Sequence, residues 1–146
     1  LLGNKKTTIT LLFVMIFIVA SFLGYKIIFS PSVTTYKLTN ALDQGILYLE
    51  ESKTLRGEFL ENKISEIDFT KRSNEIQTEV TKINETIHEL NLEDDIEIEK
   101  EVILTTGDAL QGLVSVIFTS EDLKNLSDEI LSLNIILNEI KTETSK

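Results

Sequence analysis

Apolar side chains follow two patterns along the chain: one continuous stretch near its beginning, and helical spacing over the rest. Residues 7–29 are almost entirely apolar, with Lys26 as their only charge. An α-helix rises about 1.5 Å per residue, so this stretch measures about 34 Å and can cross a hydrocarbon core of about 30 Å. The pattern predicts a single transmembrane helix at about residues 7–29, within an N-terminal unit of residues 1–31.

A cleaved signal peptide is the alternative for the same stretch. Lys5 and Lys6 provide a basic start, but Phe22 and Leu23 interrupt the small residues that a cleavage site requires. The apolar character also resumes at residues 27–29, where a signal peptide should already have ended. We therefore favour an anchor that stays in the membrane and leave its removal open.

The flanking charges predict the orientation of this anchor. Lys5 and Lys6 precede it, and the positive-inside tendency puts them in the cytoplasm and residues 32–146 outside. A second span at residues 102–118 is not expected, because this stretch includes Asp108 and Gln111. A charged side chain at mid-bilayer costs at least about 2.5–3.5 kcal/mol.

Residues 32–146 show four blocks of helical periodicity, at about 33–61, 66–91, 95–118 and 120–143. The second and fourth blocks carry seams that repeat every 3.5 residues. The third has the widest apolar face and should be the most buried. Four helices with short connections predict an all-α fold in which the transmembrane helix is followed by an antiparallel four-helix bundle. The two seams are Phe69, Ser73, Ile76, Val80, Ile83, Ile87 and Leu90, and Leu123, Leu126, Ile130, Leu133, Leu137 and Ile140.

The boundary between the first two blocks depends on local signals. Asn62 can close a helix in the left-handed conformation, and Ser65 with Asp68 forms a capping-box pattern. Hydroxyls at Thr119 and Ser120 similarly predict the start of the fourth helix. The alternative is one unbroken helix over residues 33–91, which would make the domain a long helical hairpin or coiled coil. A 3.5-residue seam also suits self-association.

The first helix has polar residues where its seam should be apolar. A strict seam passes through Ser52 and Arg56, which can line a cleft for a small anion or a protein partner. The alternative is that the helix rolls its face and exposes both. A buried Arg56 would need a carboxylate or an exposed rim. These two residues are the candidate ligand or partner site.

Composition removes several function classes. The chain has no Cys, and all 24 Asp and Glu lie at residue 43 or later, whereas three of the 14 Lys and Arg precede residue 37. The formal charge of residues 37–146 is therefore about −13, which disfavours nucleic-acid binding. The acidic run at residues 93–101 lacks the spacing of a calcium loop, and His88 is a lone histidine. We expect no catalytic, metal or cofactor site, and hence no enzyme.

The layout of an anchor and a helical bundle resembles the outer module of bacterial chemoreceptors and sensor kinases. The resemblance is architectural and covers no motif, and within these residues no second span or signalling region follows residue 118. Frequent Ile, Lys, Asn and Glu are typical of an AT-rich bacterial genome. The leading hypothesis is a membrane-anchored protein that acts by protein–protein contact at the outer face of a bacterial cytoplasmic membrane, as an envelope-machine accessory or an inhibitory or immunity-type protein. The alternative is an extracytoplasmic ligand-binding sensory module.

Overall fold

Helices account for the described part of the chain. The computed structural model describes residues 12–16, 33–92 and 97–144. Within these ranges there is no β-strand, and the predicted all-α class is confirmed. The elements after residue 32 are α1 (Val33–Leu60), α2 (Glu66–Glu89), α3 (Glu97–Thr119), a 3₁₀-helix (Leu123–Leu126) and α4 (Ser127–Thr144).

A short turn separates α1 from α2. Asn62 has a φ of 57°, the left-handed conformation that often closes a helix. The Lys63 amide donates to the Glu58 carbonyl at 2.8 Å and the Asn62 amide donates to the Phe59 carbonyl at 3.0 Å. These bonds satisfy carbonyls that the helix end leaves unpaired. The predicted break is confirmed, and the unbroken helix over residues 33–91 is wrong.

Ser65 caps α2 as its sequence predicts. Its hydroxyl accepts the Asp68 amide at 3.1 Å, which satisfies one of the unpaired donors of the first turn. The second half of the motif differs, because the Ser65 hydroxyl donates to the Asp68 carboxylate at 2.7 Å. In a full capping box the longer Glu side chain reaches back to the backbone amide of the cap residue.

The start of the fourth helix differs from the prediction of residue 120. The Ser120 amide bonds back to the Ile117 carbonyl at 3.2 Å, and Asp122 has extended backbone angles. The Asp122 carboxylate accepts the Lys124 amide at 2.9 Å and so caps the 3₁₀-helix. A carboxylate is a strong acceptor for the donors at a helix start. The regular helix begins only at Ser127.

Side-chain bonds between α1 and α4 show that these helices run in opposite directions. Thr39, near the start of α1, bonds Thr144 at the end of α4, with 3.3 Å between their hydroxyl oxygens. Farther along α1, the Glu50 carboxylate accepts the Asn134 amide at 3.0 Å. Asp43 forms an ion pair with Lys141 between these two levels. Increasing residue number on α1 thus matches decreasing residue number on α4.

Two further pairs, α1 with α2 and α2 with α3, are also antiparallel. Arg72 of α2 donates to Glu51 of α1 at 2.6 Å, and the Phe59 and Phe69 rings stack farther along, where the two helices meet their turn. The bonds that join α2 to α3, described below, follow the same order reversal. In addition, α1 contacts α3, and α3 contacts α4.

The buried side chains follow the predicted seams closely. All six buried residues of α2 belong to its seam. The wide apolar face predicted for the third block is buried in α3, at Val102, Ile103, Ala109, Leu110, Leu113, Val114 and Ile117. In α4 the seam is buried from Leu126 onward, while Leu123 packs at its edge. In α1 the strict seam faces the core, as the exposed fractions of 0% for Ser52 and 8% for Arg56 show. The expectation that α1 rolls to expose them is wrong.

Helix α3 packs against all three other helices. Among the described residues, one helical segment, Lys100–Thr119, is both long enough and apolar enough to cross a membrane. However, 56% of its most apolar stretch is buried inside the protein. The core helix of a helical domain meets the same criteria of length and composition. Its contacts with α1, α2 and α4 give its apolar side chains partners within the protein.

The described part of the N-terminal stretch also contacts α3. Residues 12–16 are helical, and Leu12 and Ile16 are buried with the core. A Cβ added at Gly112 would lie 3.7 Å from Leu12 Cδ1, so this part of the stretch packs directly on the α3 backbone. The remainder of the predicted span, residues 7–11 and 17–29, lies outside the described residues.

Candidate functional site

The two candidate residues of α1 lie on one face, one helical turn apart, and both make contacts within the protein. The Ser52 hydroxyl donates to the Tyr48 carbonyl at 2.6 Å, a bond that satisfies it inside its own helix. The Arg56 Nε donates to the Ser120 carbonyl at 2.8 Å. That carbonyl follows the end of α3, where carbonyl groups have no partner within the helix.

Aromatic rings complete the surroundings of Arg56. Its guanidinium carbon lies 5.3 Å from the ring centroids of both Phe59 and Phe69, which is within cation–π range. The two rings stack at 4.3 Å, and Phe118 meets Phe69 edge-on at 5.9 Å. Arg56 therefore joins the ends of α1, α2 and α3.

The electrostatics of Arg56 reflect this burial. Desolvation lowers the pKa of its guanidinium, and the nearby charge of Glu121 acts in the opposite direction. An arginine remains protonated at physiological pH despite such a shift. The groups that compensate the buried charge of Arg56 are thus a main-chain carbonyl and two aromatic rings, with Glu121 nearby. Whether a ligand or partner also uses Ser52 and Arg56 stays a prediction.

A groove of about 380 Å³ lies between α1 and α4. Its floor is apolar, and its rim carries charged and polar side chains. Leu123 lies beside Gly57 of α1, where an added Cβ would be 3.8 Å from its Cδ1. The volume falls at the lower end of the range for small-molecule sites. The lining residues are Glu50, Lys53, Leu123, Lys124, Ser127, Ile130, Leu131 and Asn134.

Two lysines line this groove. Neither Lys53 nor Lys124 forms an ion pair within the described ranges, and both are exposed. Four other cations of the same ranges contact carboxylates, namely Lys63, Arg72, Lys82 and Lys141. The groove therefore concentrates two available positive charges on a domain that is otherwise strongly acidic.

Exposed apolar side chains adjoin the groove. Leu131 and Ile135 are 60% and 49% exposed, and Leu47 of α1 is 61% exposed. Leu131 and Ile135 are four residues apart and so are neighbours on the surface of α4. Leu47 is spaced between Asp43 and Glu50, two of the α1 residues that bond to α4. The sequence pattern does not indicate this surface, because its members come from helices at opposite ends of the domain sequence.

A polar network joins α2 to α3. The Asn84 amide nitrogen donates to the Asp108 carboxylate at 3.0 Å and to the Gln111 side-chain oxygen at 2.8 Å. His88 Nε2 lies 2.9 Å from the same Asp108 oxygen, and the Gln111 amide donates to Thr81 at 3.1 Å. Such bonds fix the relative position of two helices. The half-exposed His88 thus has a structural contact.

Neither the acidic run nor metal binding gains support from the described residues. The side chains of residues 93–99 lie outside the described part of the chain. Elsewhere in that part, no three His, Cys, Asp or Glu residues are arranged to hold a metal ion. Comparison of the chain with protein families, curated proteins and solved structures gives no match. Its geometry alone thus defines it as an all-helical protein with a surface groove between two antiparallel helices.

Proposed function

We propose that the protein is a non-enzymatic, membrane-anchored helical protein that acts by protein–protein contact at the outer face of a bacterial cytoplasmic membrane. In this proposal residues 7–29 form the anchor, the N-terminus is in the cytoplasm, and residues 32–146 form an antiparallel four-helix bundle outside. The length of the apolar stretch and the two lysines before it support the anchor and its orientation. The order of the contacts between α1, α2, α3 and α4 supports the bundle.

The exposed apolar surface beside the groove carries the proposal of a partner. Isolated exposed Leu or Ile residues are common on soluble proteins, but Leu47, Leu131 and Ile135 adjoin a groove whose floor is also apolar. Apolar surface of this kind, bordered by polar side chains, often marks a protein contact. An accessory subunit of an envelope machine and an inhibitory or immunity-type protein both work through such contacts.

Photo-crosslinking in cells tests this proposal. A photoreactive amino acid at Leu131 or Ile135 should give adducts with another protein, whereas the same residue at Lys71, exposed on α2, should give few. Adducts from neither α4 position, or equal adducts from all three positions, would argue against a partner at this surface.

The contact between Leu12 and Gly112 defines a second test, because a chain cannot form this contact while residues 7–29 cross the membrane. An anchor inserted with the domain outside keeps Leu12 near the cytoplasmic side, far from α3. The chain contains no Cys, so a Leu12→Cys/Gly112→Cys pair reports this contact alone. The proposal predicts a disulfide only in chains that have not inserted. A disulfide in the membrane-embedded fraction would contradict the proposed topology.

The second candidate function is a ligand-binding sensory module. The groove between α1 and α4 favours it, since its volume and its mixture of apolar and charged lining suit a small molecule. The lining includes Glu50 and Lys53, which flank the predicted site residue Ser52 in sequence.

A further inference from the structure

We infer that the groove between α1 and α4 binds a free single-chain amphiphile with a carboxylate head, such as a long-chain fatty acid. This inference rests on the second candidate function and specifies its ligand. The floor of the groove is formed by Leu123, Ile130 and Leu131, which offer apolar surface to an alkyl chain. Removing such surface and the chain from water is favourable.

The two lysines determine the charge of the head group. Lys53 and Lys124 both line the groove and have no ion pair within the described residues. The carboxylate of Asp122, which caps the 3₁₀-helix, accepts the Lys124 backbone amide at 2.9 Å. Two available ammonium groups attract an anion and repel a cation.

The end of the groove away from Lys124 carries the one carboxylate of its lining, that of Glu50. There the Glu50 carboxylate accepts the Asn134 amide at 3.0 Å, so it is bonded within the protein. Leu131 lies between this pair and Lys124 along α4 and continues the apolar floor. The carboxylate head therefore contacts the lysines, and the alkyl chain lies against the apolar lining residues of α4.

The size and position of the groove favour a free amphiphile over a membrane phospholipid. A volume of about 380 Å³ is small for two acyl chains and a phosphate head. Lys53 is also 20 residues beyond the start of α1, which corresponds to about 30 Å along the helix. In the proposed topology this distance separates the site from the bilayer surface.

Photoaffinity labelling of the full chain in lipid nanodiscs tests the inference. Two probes are compared, a diazirine-bearing long-chain carboxylate and the alkyl trimethylammonium with the same chain, and adducts are mapped by peptide mass spectrometry. Probe that only dissolves in the lipid should label residues 7–29. We expect the carboxylate probe, and not the ammonium probe, to label residues 123–134 as well.

Matched variants identify the role of the lysines. Lys53→Gln with Lys124→Gln should lower groove labelling by the carboxylate about fourfold or more, since each exposed ion pair contributes about a two- to fivefold effect. Lys71→Gln, which removes an exposed lysine of α2, should leave the labelling unchanged. Both lysines of the groove are exposed, so the variants should fold, as far-ultraviolet dichroism can verify.

Three results would overturn the inference: labelling confined to residues 7–29, equal groove labelling by both probes, or no effect of the double variant. Groove labelling that falls as protein concentration rises, with dimers crosslinked through Leu131, would instead assign the groove to a second copy of the chain. Protein adducts from Leu131 in cells, combined with no amphiphile labelling, would overturn this inference and leave the proposed function standing.

Discussion

Replacing Gly107 by Ala should destabilise the protein, whereas the same change at Gly57 should stabilise it. Ala is favoured over Gly in a helix interior by about 1 kcal/mol, so both changes gain from the helix itself. At Gly57 the new Cβ would lie 3.8 Å from Leu123 Cδ1, an ordinary contact. We therefore expect a gain of about 0.5–1 kcal/mol in the free energy of unfolding.

At Gly107 the new Cβ would clash with the Asn84 side-chain oxygen and would approach Ile87 Cδ1 to 3.4 Å. That oxygen is the one buried polar side-chain atom of the described residues without a hydrogen-bond partner. Asn84 cannot move freely, because its amide nitrogen bonds both Asp108 and Gln111. Losing those bonds costs about 0.5–1.5 kcal/mol each, and overpacking costs about 1–3 kcal/mol. The net loss should be about 1–3 kcal/mol.

Urea unfolding of the full chain in a nonionic detergent, followed by far-ultraviolet dichroism, measures both effects. Introducing Asn84→Ala removes the clash, so Gly107→Ala should then become neutral or stabilising in that background. The double-mutant cycle thus isolates the contact. If Gly107→Ala were as stable as Gly57→Ala, the close packing of α2 on α3 at this point would be refuted.

Two further predictions concern helix packing. Arg56→Ala should lower the free energy of unfolding by about 2–4 kcal/mol, because it removes a charged hydrogen bond and leaves a cavity. The control, Arg72→Ala, breaks half-exposed ion pairs and should cost less than about 1 kcal/mol. Equal losses for the two variants in urea unfolding would contradict the burial of Arg56. Thr39→Cys with Thr144→Cys should form a disulfide under oxidising conditions, since the two hydroxyl oxygens are 3.3 Å apart; its absence by gel mobility would contradict the antiparallel packing of α1 and α4.

The sequence predicted those parts of the fold that depend on periodicity and local bonding. All the buried positions of α2 could be predicted, because they recur at helical spacing. The turn at Asn62 could be predicted from residues within one helical turn of it. The start of α4 was misplaced, because several neighbouring side chains can cap a helix. There the Asp122 carboxylate provides the cap, and the predicted hydroxyls of Thr119 and Ser120 do not.

The surroundings of the candidate site could not be predicted in the same way. The partner of Arg56 is the main-chain carbonyl of Ser120, and no side-chain pattern signals a carbonyl that lies nearby in space. The groove depends on Lys53 and Lys124, which only the packing of α1 against α4 brings together. Long-range packing therefore decides the site, whereas local patterns decide the helices.

Labelling of single cysteines tests the membrane topology on which the proposed function depends. Because the chain has no Cys, Lys5→Cys and Lys71→Cys each introduce one thiol, on opposite sides of the proposed anchor. In intact spheroplasts a membrane-impermeant maleimide should label Lys71→Cys at once and Lys5→Cys only after lysis. Labelling of Lys5→Cys alone, protection of both, or recovery of the protein in the soluble fraction would contradict the account.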